Sequence, residues 1–271
     1  MPDLVPTTAP LPPAAPWRLD LKVAAVWALL AGLSAAAVIP YMAQTMPERF
    51  ARIPVSLPVL AAAQGLQALA VIGLMALLGL RMGHRVGLGS PLLARWLGGP
   101  RVAAAALRPW HSLAVGVLAA LAVIGLSLLV DPLMPEPVHP PLDAGAGQSA
   151  LYGFLASFYG GIAEELQLRL FLMTLLLWIV ARIGKRTPRP GTYWGAIVAA
   201  ALLFGAGHLQ AAAQVWGLDA VVVVRTVLLN AVAGLAFGWL YWKRGLEMAV
   251  LAHFGADIVL HVVSPLLAAG A

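Results

Sequence analysis

Three carboxylates, one arginine and three histidines stand inside otherwise apolar stretches of this chain. The first group lies in Gly160-Gly161-Ile162-Ala163-Glu164-Glu165-Leu166-Gln167-Leu168-Arg169. Glu165 and Arg169 are four residues apart, so on a helix they share a face and can pair. Glu164 lies about 100° away around the same helix, which leaves its carboxylate for another partner. The second group is Phe204-Gly205-Ala206-Gly207-His208, where two glycines predict close backbone approach beside a histidine. The third is His253-Phe254-Gly255-Ala256-Asp257, followed by His261. The i, i+4, i+8 spacing sets His253, Asp257 and His261 on one polar stripe of a helix. Asn230 and the pair Gly234 and Gly238 also stand out, the glycines reading as a tight helix contact.

Such a set has three chemical uses. A desolvated glutamate can act as general base toward water, with histidines orienting that water and donating to the oxyanion of a tetrahedral intermediate. His208, His253, His261 and a carboxylate could instead hold zinc, although there is no HExxH and the i, i+4 pair is His/Asp. Buried Glu, Asp and His can also relay protons in coupled transport. A fully structural ion pair accounts for Glu165 with Arg169 but leaves Glu164 without a purpose.

The elements that carry these groups follow from composition. Of 271 residues, 61% are hydrophobic and 10% charged, and the mean hydropathy is +0.88. Ordinary soluble domains are about 45–50% apolar and about 25% charged. The balance argues against a soluble enzyme and excludes a disordered chain. It leaves an all-α, polytopic integral membrane protein. With no cysteine, there is no disulfide framework, thiolate nucleophile or Cys-ligated metal.

Seven stretches are long and apolar enough to span a bilayer: roughly Val23–Thr45, Val55–Leu80, Trp110–Val130, Leu151–Ala181, Thr192–Trp216, Val221–Trp242 and Leu246–Leu267. The fourth is long for one span and is expected to tilt or break at Gly160-Gly161. An eighth, interfacial or re-entrant segment is open within Arg81–Arg108. Residues 1–17 read as a disordered Pro/Ala-rich tail and 18–271 as one transmembrane domain, with the catalytic core at about 151–267. The first apolar run has the charged flank and small residues of a signal peptide, but it continues past its alanines and reads as a retained helix.

The net charge of +6 does not point to nucleic acid, because no basic stripe interleaved with aromatics occurs. Alternate loops hold 13 basic residues on one side of the spans and 2 on the other. This predicts a cytoplasmic N-terminus in a bacterial cytoplasmic membrane. At about 1.5 Å per residue from the outer span ends, Glu164, His208, His253 and Asp257 fall roughly 12–21 Å deep, in one layer.

The ordered motifs Glu164-Glu165-x-x-x-Arg169, Phe204-x-x-x-His208 and His253-x-x-x-Asp257 resemble those of the CPBP family. These are the CAAX-processing and bacteriocin-processing (Abi) intramembrane glutamic endopeptidases. The resemblance covers about Leu151–Leu267, and spans one to three do not share it. It implies metal-independent peptide hydrolysis, with no cofactor and no metal ligands. Glu164 would activate water, His208 would help to hold it, and His253 with residue 257 would stabilise the oxyanion. Glu165 and Arg169 would support the site; Asn230, His261 and Phe204 are further candidates.

Position 257 commonly carries Asn in that family, and here it is Asp. An ionised Asp257 would repel an oxyanion; to donate, it must carry a proton, or else it orients His253. Leu168 stands where Phe often precedes the arginine. The expected partners are the lipid bilayer and a membrane-associated or lipidated peptide substrate. The alternatives are a non-catalytic immunity or partner-binding protein on the same scaffold, a zinc metalloprotease and a proton-coupled transporter.

Overall fold

The computed structural model describes residues 16–100 and 107–269. The 1–17 tail lies outside the described residues up to position 15, as do residues 101–106 of the segment considered for an eighth crossing. Among the described residues there is no strand, and seven helical units are long and apolar enough to cross a membrane. They are α1 (Trp17–Thr45), α2 (Leu57–Gly83), α3 (Pro109–Leu133), α4 (Gly145–Gly184), α5 (Pro190–Trp216), α6 (Ala220–Arg244) and α7 (Leu246–Ala268). The described part of the 81–108 segment contains one helix, Pro91–Trp96, far too short to span.

Apolar residues do not by themselves hold helices together in lipid, so close packing has to come from small residues. Gly32 of α1 and Gly65 of α2 face each other so closely that a Cβ on either would lie 2.9 Å from the other's carbonyl oxygen. On α3, Gly116 rests directly on the backbone of Ala252 in α7, one residue before His253. Gly234 and Gly238 of α6 pack on Ala201 and Ile197 of α5, which is the tight contact their spacing predicts. Outside these seams leucines are left bare: Leu66 is 71% exposed and Leu128 73%, as expected where acyl chains rather than protein complete the packing.

The centre of the bundle is α4, whose Leu166, Leu170, Met173 and Leu177 are completely buried. It packs against α1, α2, α5, α6 and α7. The chain does not break at Gly160-Gly161. It runs on as helix but widens into two π-helical stretches, Tyr159–Glu164 and Leu166–Met173. Each π turn admits an extra residue and re-aims the side chains beside it. A third π stretch, Ile258–Val263, lies in α7 just after Asp257. Two other spans are interrupted. Pro40, which cannot donate to the carbonyl ladder, follows a break in α1 at Val38. α5 is interrupted at His208, between Pro190–Gly207 and Leu209–Trp216.

Candidate active site

The polar groups of α4, α5 and α7 meet in the interior of the bundle. Glu165 is fully buried, and its Oε1 receives two partners. Arg169 Nη1 lies 2.9 Å away on the same helix, and His253 Nδ1 lies 2.8 Å away on α7. A carboxylate can only accept, so His253 carries a proton on Nδ1 and donates it to Glu165. Arg169, 1% exposed, donates through Nη2 to the Gly234 carbonyl and lies over the rings of Phe204 and Phe237. Phe237 in turn stacks on the His253 imidazole with centroids 4.4 Å apart. The i, i+4 pairing of Glu165 with Arg169 is thus present, with His253 as a third member.

Glu164 turns to a different set. Its Oε1 lies 3.8 Å from His208 Nε2 and its Oε2 lies 3.8 Å from His253 Nε2. These separations are too long for direct hydrogen bonds and suit groups that share a third, water-sized partner. His208 Nδ1 donates to the Phe204 carbonyl at 2.9 Å, so its Nε2 is left facing Glu164 with a free lone pair. At the break in α5 the His208 N–H bonds to the Gly205 carbonyl, which leaves the Phe204 carbonyl to the His208 ring. His208 and Glu164 are also the open side of the cluster, at 36% and 18% side-chain exposure, against 6% for His253.

Asp257 lies one turn beyond His253, with Oδ1 3.7 Å from His253 Nε2. Gly160 forms the opposite wall. A Cβ there would press on Asp257 Oδ2 and lie 3.1 Å from His253 Nε2, so no larger residue fits while these groups keep their places. Gly160 was visible in the sequence only as a helix breaker, and its π-helical setting leaves no periodic signature.

The remaining candidates divide. Phe204 packs edge-on against both His208 and His253 and so belongs to the cluster. Asn230 donates through Nδ2 to the Thr226 carbonyl of its own helix. His261 hydrogen-bonds Tyr41 of α1 instead of Glu164, His208 or His253. Gly205 approaches the Val227 backbone closely, as expected, whereas Gly207 has open space around it. Among the described residues no group of three His, Asp or Glu side chains is arranged to hold a metal ion.

Comparison with protein-family models matches residues 146–259 to the Rce1-like family, described as type II CAAX prenyl endopeptidase Rce1-like. The matched segment holds all three motifs. It supports a CAAX-type intramembrane protease. Comparisons with curated proteins and with solved structures return no match.

Proposed function

From an Rce1-like segment that contains every motif, we propose that this protein is an intramembrane endopeptidase in which Glu164 activates the attacking water. The observation that carries the reading is the division of labour between adjacent carboxylates. Glu165 is consumed by Arg169 and His253, while each oxygen of Glu164 faces a different imidazole at 3.8 Å.

A water among these groups would give one proton to Glu164 and direct the other to the bare Nε2 of His208. Its lone pair is then aimed at a peptide carbonyl. Glu165 compensates a second proton on His253, so that Nε2–H can donate to the oxyanion as the carbonyl becomes tetrahedral. A protonated Asp257 is the second donor. Collapse of the intermediate breaks the C–N bond, and Glu164 returns its proton to the leaving amine. The substrate in this reading is a membrane-associated or lipidated peptide. The protein resides in a bacterial cytoplasmic membrane with its N-terminus cytoplasmic.

The test compares membrane peptides from cells carrying the unmodified protein and Glu164→Gln, which keeps the shape of the side chain. Uncleaved peptides accumulating only in the variant are the expected result. Full cleavage by correctly inserted Glu164→Gln defeats the assignment. Inhibition by a strong chelator, reversed by added zinc, would indicate a metalloprotease instead. The acidic residue at 257 favours one further reading, a partner-binding protein on the same scaffold, and such a protein would keep its cellular phenotype with Glu164→Gln.

A further inference from the structure

Away from the active site, Arg18 and Lys22 stand at the N-terminal end of α1. They are four residues apart, share a helix face and are exposed. Among the described residues neither makes an ion pair or a hydrogen bond. Asp20, the acid between them in sequence, does not answer their charge. It is turned inward, 2% exposed, and is held by Arg81 at 2.7 Å and His84 at 2.9 Å. The two cations instead line a cavity of about 320 Å³, together with Leu19 and the 97–100 loop, and none of its described lining residues is acidic. That volume is at the small end of the roughly 300–1,000 Å³ of small-molecule sites. Glycines bring the loop against α1. Gly98 has φ +95°, which a side chain disfavours, and a Cβ on Gly99 would lie 2.9 Å from Leu19 Cδ2.

The same face of α1 continues as bare hydrocarbon. Ala25, Leu29 and Leu33 follow Arg18 and Lys22 at helical spacing, and all three are exposed, Leu29 at 54% and Leu33 at 60%. Trp17 at the helix start is also exposed, and a tryptophan at a span end marks headgroup level. The face is thus cationic at the interface and apolar beyond it, which is the profile of one phospholipid. We propose that the cleft between the start of α1 and the 97–100 loop binds the phosphate headgroup of an anionic phospholipid, whose acyl chain lies along Ala25, Leu29 and Leu33. Arg18 supplies the fork of donors that fits phosphate oxygens, and Lys22 adds a point charge. A zwitterionic lipid brings its own ammonium, which both cations repel. The site therefore selects for net negative charge.

The test is native mass spectrometry of the purified full-length protein in detergent, titrated with phosphatidylglycerol or with phosphatidylcholine of the same acyl chains. One phosphatidylglycerol is expected to bind ahead of any phosphatidylcholine. Arg18→Gln combined with Lys22→Gln removes both charges at exposed positions. It should weaken that first binding event about 10- to 30-fold, because each basic residue near an anionic lipid surface is worth about fivefold, and it should leave the melting temperature unchanged. The single substitutions, each expected at about fivefold, carry the test if the double variant melts lower.

Equal binding of the two lipids to the unmodified protein overturns the proposal, since the cations then select nothing. So does an equal loss in Arg182→Gln combined with Arg186→Gln, which takes two exposed cations from the C-terminal end of α4 and reports surface charge in general. Displacement of the lipid by inorganic phosphate or by water-soluble glycerophosphoglycerol at equal concentration also overturns it, because the cleft would then hold a soluble anion and the bare leucines would contribute nothing. Retention of the lipid against both soluble anions, with the loss confined to the Arg18 and Lys22 variants, supports it.

Discussion

Two adjacent glutamates with different surroundings should respond differently to substitution. Glu164→Gln is expected to abolish turnover while leaving the thermal melt of the purified protein in place, because at 3.8 Å from both imidazoles Glu164 makes no direct hydrogen bond that would be lost. Glu165→Ala removes the shared partner of Arg169 and His253. An uncompensated buried charge costs about 3–5 kcal/mol, so this variant should show a clear fall in melting temperature as well as lost activity. Gly160→Ala tests the wall of the site. Its methyl would take the space against Asp257 and His253, and it should reduce kcat by at least about 100-fold, since misplacement of about 1 Å costs that much. A measured loss below threefold would show that this wall yields.

Between elements, the seam of α3 with α7 is the most demanding. Gly116→Val would drive a branched side chain into the Ala252 backbone, and overpacking of this kind costs about 1–3 kcal/mol. A lower melting temperature together with weaker activity is expected, because His253 is the next residue along α7. The sequence made the seven apolar runs legible, since each is long enough to read by hydropathy alone. It also made the pairing of Glu165 with Arg169 legible, which needs only one helix. It did not disclose the π turns, because widening a helix by one residue changes no residue type. It did not disclose Tyr41 either: its partner is 220 positions away, and an aromatic near a span end reads as an interfacial anchor. Phe237 was hidden for a similar reason, as an aromatic on an apolar helix is indistinguishable from ordinary core until the stacked imidazole is seen.

At the scale of the whole molecule, orientation is open to direct measurement because the chain has no cysteine of its own. A single cysteine at Ala144 should be labelled by an impermeant maleimide added outside intact cells, and one at Arg186 only after the membrane is opened. The reverse pattern would invert the topology. The length of α4 then has a consequence for water supply. Its 40 residues, α-helical apart from the two π stretches, amount to at most about 60 Å of helix against a hydrocarbon layer of about 30 Å, and tilts reach only about 40°. The two ends must therefore project past the acyl chains, with Glu164 near the midpoint of the rod. A change of bilayer thickness would move the waterline along the ends of α4 while Glu164 stays near mid-depth. What varies is the distance a hydrolytic water must travel to reach it. Turnover in vesicles of graded acyl-chain length should accordingly fall as the bilayer thickens.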